Sequence, residues 1–256
     1  MSTDTRPAAF DLTGRTALVT GGGRGLGAGI TRAMLDAGAD VIVYGRSALP
    51  DDLVAYAADR GRALDLYSVD LGDSDAIAEV SAKVLAERQV DILVNNAGTQ
   101  ERHPAVEFPL EAFDRVMDVN LRSVFQLCQI FGAPMLERGD GKVINMASLL
   151  SFQGGLTVPA YAASKGAVAQ LTKALCNEWS SKGVNVNSVA PGYMATDMNS
   201  ALLADPVRLE QLSVRIPAGR WGQPEDIGNV VVFLASAASA YVHGQVLAVD
   251  GGWLAR

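Results

Sequence analysis

Short runs of β-branched and apolar residues alternate with longer stretches of helical periodicity along the whole chain, and no other feature restricts the fold as strongly. The candidate strands are Thr16–Thr20, Val41–Tyr44, Leu66–Val69, Ile92–Asn95, Val143–Met146, Val184–Val189 and Val246–Val249. Most are apolar throughout, the pattern of strands covered on both faces. Between them, Leu26, Ile30, Ala33, Met34 and Ala37 form one apolar stripe at helical spacing, and Ile77, Val80, Val84 and Leu85 form another. Gly38, Gly139 and Gly183 stand where such helices should stop. Strand–helix–strand alternation predicts an α/β fold, a parallel sheet with helices on both faces.

An eight-fold barrel is the rival architecture at 256 residues. It needs eight equivalent strands, whereas seven are visible, and glycines crowd the first strand–helix turn, where an open sheet binds dinucleotides. No linker, charge block or repeat divides the chain, so one domain over residues 1–256 is expected.

Composition narrows the function classes. Hydrophobic residues at 49% against 19% charged can fill a core, which excludes a disordered chain. Twenty-eight acidic against 21 basic residues leave a net charge of −7, which repels phosphate backbones and argues against nucleic-acid partners. Any anionic ligand then needs local cations. Cys128 and Cys176 lie far apart, as do His103 and His243, so neither a disulfide framework nor a metal site is expected. Met1–Phe10 lacks the apolar centre of a signal peptide. The longest apolar stretch, Val230–Ala238, is well short of the roughly 20 residues that cross a bilayer. A soluble, cytoplasmic protein without a membrane partner is expected.

The run Gly21-Gly22-Gly23-Arg24-Gly25-Leu26-Gly27 follows the first strand directly and opens an amphipathic helix. Glycine suits such a turn because it adopts positive φ and leaves backbone N–H groups open to a pyrophosphate. The strand before and helix after favour nucleotide binding over a plain structural turn. The second strand ends Tyr44-Gly45-Arg46, with no acid to accept hydrogen bonds from the ribose of NAD. Arg46 and Arg24 suit a 2′-phosphate, which favours NADP over NAD; the alternative is two solvated surface arginines.

Tyr161 and Lys165 are four residues apart at the start of a long helical pattern and share one face. Ser148 lies just beyond a strand, at the ligand-facing carboxyl edge of an open sheet. A phenol with a pKa near 10 is a poor base at neutral pH, and lowering it by ~2–3 units takes ~3–4 kcal/mol. A neighbouring ammonium and a cationic nicotinamide ring are able to supply that, while Ser148 orients the substrate oxygen. The bland alternative packs Tyr161 against a backbone carbonyl and leaves Lys165 in solvent.

Taken together, Thr20-Gly21-x-x-x-Gly25-x-Gly27, Asn95-Asn96-Ala97-Gly98, Asn120, Ser148, Tyr161-x-x-x-Lys165 and Pro191-Gly192 resemble the pattern of the short-chain dehydrogenases/reductases, from about Leu12 to Arg256. The resemblance implies a Rossmann-like three-layer sandwich with a seven-stranded parallel sheet, and reversible hydride transfer at a secondary alcohol or ketone. It implies that Tyr161 is the acid/base, and that Lys165 holds the nicotinamide ribose and lowers the tyrosine pKa. Ser148 would position the carbonyl and Asn120 would hold a water in the proton relay. For the coenzyme, Gly21, Gly23, Gly25, Leu26 and Gly27 lie on the turn, to which position adds Arg24 and, beyond the second strand, Arg46. Asp70 beside adenine, with Leu71, and Asn96 beside the adenosine ribose, with Ala97 and Gly98, complete that end. Pro191, Gly192 and Thr196 border the nicotinamide with Tyr161 and Lys165. Homotetramers packed through the helices of Asn120 and Tyr161 are common in such a family.

Within it, Ser148–Gly155, Ala190–Thr196, Ile216–Gly222 and Val249–Arg256 resemble the 2-dehydro-3-deoxy-D-gluconate 5-dehydrogenases (also called 2-deoxy-D-gluconate 3-dehydrogenases) and the gluconate 5-dehydrogenases. That implies a sugar-acid substrate. Such enzymes often use NAD, so both coenzymes stay open. Arg102 is the candidate for the substrate carboxylate, with Gln153 for its hydroxyls; each is otherwise a plain surface residue. His103 reads as a loop surface group, and Asp197 to Pro206 as a segment closing over the substrate. Two alternatives remain, a 3-oxoacyl or keto-ester reductase and a dinucleotide-binding regulator without turnover.

Overall fold

All seven expected strands form. The computed structural model describes residues 7–196, 199, 202 and 204–256. Its strands are β1 (Thr16–Thr20), β2 (Asp40–Gly45), β3 (Leu64–Ser68), β4 (Ile92–Asn95), β5 (Gly141–Met146), β6 (Val184–Pro191) and β7 (Val246–Val249). They pair in parallel, in the order β3-β2-β1-β4-β5-β6-β7. β1, β4 and β7 match the apolar runs residue for residue. β3 begins two residues earlier than expected, at Leu64. As an edge strand it is nowhere fully buried, so it accommodates Asp65, which pairs with Arg88 at 2.8 Å and interrupts the apolar run.

The helices are α1 (Gly25–Asp36), α2 (Asp51–Asp59), α3 (Ser74–Glu87), α4 (Leu110–Met117), α5 (Ser123–Arg138), α6 (Pro159–Trp179), α7 (Pro206–Ser213) and α8 (Pro224–Ala235). Successive residues of β1 point to opposite faces. Val19 joins Ile30 and Met34 of α1 and Ile227 and Val231 of α8 in one core. Leu18 joins Ile77 of α3, Leu127 and Phe131 of α5 and Trp179 of α6 in the other. Three layers result. The stripe on α3 needs one correction: Leu85 is exposed, and Ser81 takes the buried place between Ile77 and Val84, with its hydroxyl 3.2 Å from that of Tyr44. Gly38, Gly139 and Gly183 all adopt positive φ at the chain reversals where helices were expected to stop.

From β1 the sheet grows through β2 and β3 on one side and from β4 to β7 on the other. The loops leaving β1 and β4 therefore diverge and open a crevice at the carboxyl edge. Among the described residues no helix is long and apolar enough to cross a membrane, and no three His, Cys, Asp or Glu side chains gather as a metal site. The expected closing segment between Asp197 and Pro206 lies largely outside the described residues.

Candidate active site

The glycine turn leaves β1 at this crevice. Gly21 has φ +65°, and a Cβ on Gly27 would stand 1.9 Å from the carbonyl oxygen of Gly21, so only glycine lets α1 start this close to the strand. Arg24 is the N-cap of α1, and no side chain caps the helix there, which leaves the first-turn N–H groups for a ligand. Asn96 holds this turn in place. Its Nδ2 donates to the carbonyl of Thr20 at 2.9 Å and to that of Gly21 at 3.4 Å, while Ala97 N–H donates to the Thr20 hydroxyl at 2.9 Å. Asn96, expected beside a ribose, thus spends its amide on bracing the loop. A bare helix N-terminus over a cradle that a single methyl would fill fits the pyrophosphate of a dinucleotide.

The adenosine end is more open. A methyl on Gly23 would stand 3.5 Å from Leu49, so the turn carrying Arg24 lies against the loop that follows Arg46. Both arginines are exposed. Arg46 Nη1 stands 3.5 Å from Asp70 Oδ2, and Asp70 Oδ1 accepts from Gly72 N–H at 2.9 Å. Leu71 between them is buried.

Beside the turn, β4, β5 and α6 converge. Ser148 caps the short turn Leu149–Ser151 after β5, and its Oγ accepts from Leu150 N–H at 3.2 Å. The Ser148 hydroxyl also bonds the Tyr161 phenol and pulls its pKa down, yet burial outweighs that bond and the phenol stands above its ordinary 10. Lys165 Nζ lies 5.7 Å from the Tyr161 ring centroid and donates to the carbonyl of Met146 at 2.6 Å. Its side chain is buried, and among the described residues no acid pairs with it; burial lowers its pKa from 10.5 to about 8.

Asn120 sits at the middle of a widened π-turn, Asp118–Arg122, between α4 and α5, and is fully buried. Its Nδ2 donates to Thr99 O at 2.9 Å and to Ser164 Oγ at 3.1 Å, while its Oδ1 accepts from Thr99 N–H at 2.8 Å. The side chain therefore clamps the loop after β4 to α6. Gly98 passes close by, its open side 3.4 Å from Asn120 Oδ1 and 3.6 Å from Lys165 Nζ.

At the far wall, Gly192 is pressed against the residue that follows β7, where a Cβ would come within 2.6 Å of Asp250 Cα. Pro191 ends β6, and Thr196 lies 3.9 Å from the open side of Gly25, across the mouth of the glycine turn. The substrate candidates are less anchored. Arg102 is exposed, and among the described residues it makes no ion pair. His103 N–H, the next along, donates to Thr157 O at 3.0 Å, which ties this loop to the entry of α6, four residues before Tyr161. The His103 ring is half-buried, edge-on to Phe108 at 5.1 Å. Gln153 is exposed beyond Ser148. Sequence reasoning missed Thr99, Ser164 and Ser151, whose parts in this site depend on partners far away in sequence. Only the spacing Ser148-x-x-Ser151, that of a helix-capping pair, carried a signal.

A family model described as enoyl-(acyl carrier protein) reductase matches residues 21–254. A 2-dehydro-3-deoxy-D-gluconate 5-dehydrogenase of Bacillus subtilis is 51% identical over 248 residues, 97% of this chain and 98% of that one. The chain is a short-chain dehydrogenase/reductase. As a member of the short-chain dehydrogenases/reductases it shares its architecture with solved relatives. A Beutenbergia cavernae protein with NADP bound at low occupancy superposes with a TM-score of 0.94 at 49% identity, over 97% of this chain and 100% of that one. A gluconate 5-dehydrogenase of Burkholderia cenocepacia in complex with NADP and tartrate gives 0.91 at 39% identity, over 97% and 98%.

Proposed function

We propose that this short-chain dehydrogenase/reductase oxidises and reduces a sugar acid with NADP, at a secondary alcohol or ketone, as a 2-dehydro-3-deoxy-D-gluconate 5-dehydrogenase or gluconate 5-dehydrogenase does. The observation that carries the reading is the meeting of Ser148, Tyr161 and Lys165 beside the bare glycine turn. The 51% identity to the Bacillus subtilis enzyme directs it towards sugar acids.

A dinucleotide whose pyrophosphate is held by the glycine turn would supply or receive the hydride. The protein's part is to hold and move a proton. The Ser148 hydroxyl donates to the substrate oxygen and polarises the carbonyl. The Tyr161 phenol, protonated through the neutral range because burial raises it, gives its proton to that oxygen during reduction and recovers it during oxidation. Lys165, held on Met146, presents an ammonium below about pH 8 for the ribose hydroxyls and for the phenolate as it forms. Asn120 fixes Thr99 against α6 and leaves one face of its Oδ1 for a relay water. Arg102 takes the substrate carboxylate and Gln153 a hydroxyl. Arg46 and Arg24 select the 2′-phosphate. The chain works as a cytoplasmic homotetramer, packed through α5 and α6, and Phe125, 42% exposed on α5, is a residue such packing would cover.

A panel of 2-dehydro-3-deoxygluconate, gluconate and their keto forms, each with NADP and NAD, tests this. Turnover of sugar acids, faster with NADP, is expected. Phe152 and Leu156, exposed at 51% and 79% beyond Ser148, give the acyl-ketone reading its one support. Rates with acyl ketones and none with sugar acids would establish that reading instead.

A further inference from the structure

We propose that Ser151 is a positioning residue of the hydride-transfer site, whose hydroxyl locks the backbone of Ser148 to the catalytic helix at Lys165. The inference rests on the reading of Ser148, Tyr161 and Lys165 given above. Ser151 touches none of the reacting atoms. Its hydroxyl has one proton, donated to the backbone carbonyl of Lys165 at 2.7 Å, and it accepts the backbone N–H of Ser148 at 3.2 Å. One side-chain oxygen thus joins two residues that lie 17 positions apart in sequence and must act together.

The bond completes a closed circuit. Lys165 Nζ is tied to Met146 O at 2.6 Å, so both the ammonium and the backbone carbonyl of Lys165 are fastened to the single segment Met146–Ser151. Two tethers separated by the length of a lysine side chain fix both the rotation and the height of α6 against β5. Tyr161 is one turn from Lys165 and inherits that placement. Ser148 needs the same bond for a second reason. Its Oγ already accepts from Leu150 N–H, a pull towards its own turn and away from the phenol. The Ser151 bond holds Ser148 in its extended conformation (φ −161°, ψ 166°), from which one hydroxyl serves Leu150 and Tyr161 together. Without it the turn Leu149–Ser151 is free to roll, and a displacement of about 1 Å at a reacting group costs on the order of 100-fold in rate.

The test uses the full chain with its coenzyme. Ser151→Ala is expected to lower kcat ten- to fiftyfold, while KM for the sugar acid and Kd for NADP, titrated by fluorescence, stay within twofold of the parent. Among the described residues Ser151 makes no hydrogen bond to the glycine turn or to Arg102, so a site that is merely misaligned keeps its affinities. Ser151→Thr, which keeps the hydroxyl, should restore kcat to within threefold, and Ser151→Val, the same shape without it, should not. That pair decides the matter even if the alanine variant folds poorly. Equal kcat in the threonine and valine variants would overturn the proposal. So would loss of NADP binding in both alanine and valine variants, because the hydroxyl would then serve the fold and not the site. Tyr161→Phe, run alongside, separates the two levels: if it retained turnover the site itself would be misread, whereas a dead Tyr161→Phe beside a fully active Ser151→Val removes Ser151 alone.

Discussion

The two walls of the crevice are made of different material. The coenzyme wall is backbone and buried hydrogen bonds: Gly27 against Gly21, Asn96 across Thr20 and Gly21, Asn120 across Thr99 and Ser164, Lys165 on Met146. The substrate wall is exposed side chain: Arg102, Gln153, Phe152 and Leu156, none of whose side chains makes a hydrogen bond or ion pair among the described residues. Chemistry common to a whole family needs atoms held within a few tenths of an ångström, which packing supplies. Specificity needs only a charge or a shape at the rim, and a rim is free to vary without unfolding anything. The difference predicts that substitutions on one wall abolish function while those on the other redirect it.

The largest effect belongs to Tyr161→Phe. Removing the phenol hydroxyl placed against Ser148 should lower kcat by about 10³-fold, with Kd for NADP unchanged within twofold. Parent-like turnover in a stopped-flow assay would break the comparison at its base. Next comes Gly27→Ala. The added carbon would sit 1.9 Å from a backbone oxygen, so the turn must open, and coenzyme affinity should fall roughly 100-fold by calorimetry. Unaltered affinity would mean that the cradle does not hold the pyrophosphate.

Much of the coenzyme wall was legible in the sequence because its code is local. A strand running into glycines, Tyr161 four residues before Lys165, and Ser148 at a strand end all follow from short-range spacing and sheet geometry. The bracing was not legible. Nothing in the residues around Asn120 announces a π-turn, and Asn96 looks like a ligand-binding amide until the carbonyl of Thr20, 76 positions away, is found 2.9 Å from it. β3 shows the same limit in the fold, since an edge strand tolerates Asp65 and so hides its own start. The substrate wall was legible only as a list of candidate side chains, for loop placement depends on contacts such as that of His103 with Thr157.

On the substrate wall the effects should be smaller and of another kind. Arg102→Ala should raise KM for the sugar acid roughly tenfold, the worth of a charge-assisted bond of about 1.5 kcal/mol, and leave kcat and NADP affinity in place. A fall in kcat without a change in KM would move Arg102 from substrate binding to alignment. Arg46→Asp belongs at the exposed edge of the other wall and tests whether exposure, more than location, is what makes a residue selective. Coenzyme preference, as the ratio of kcat/KM values, should move severalfold towards NAD, with kcat under saturation unchanged; an unmoved ratio removes Arg46 from selection.

Lys165 gives the smallest and sharpest comparison, because it measures what the rigid wall costs. Its pKa falls from 10.5 to about 8 on folding, so between those values the unfolded chain holds a proton that the folded chain has released. Stability therefore rises with pH across that window, and below about 8 the folded protein carries the full cost of a buried ammonium. Lys165→Met removes the charge along with the bond to Met146. The lost hydrogen bond, worth about 1 kcal/mol, offsets part of a gain of about 3 kcal/mol, leaving the variant ~1–2 kcal/mol more stable at pH 7. In a chain of this size that is a rise in Tm of a few degrees, closing towards zero near pH 10. The exposed arginines should show nothing comparable: Arg102→Ala is expected to leave Tm within a degree at both pH values. A Lys165→Met variant no more stable than the parent at neutral pH would show that the ammonium is held by the site at no expense to the fold, and the rigid wall would then differ from the rim in geometry alone.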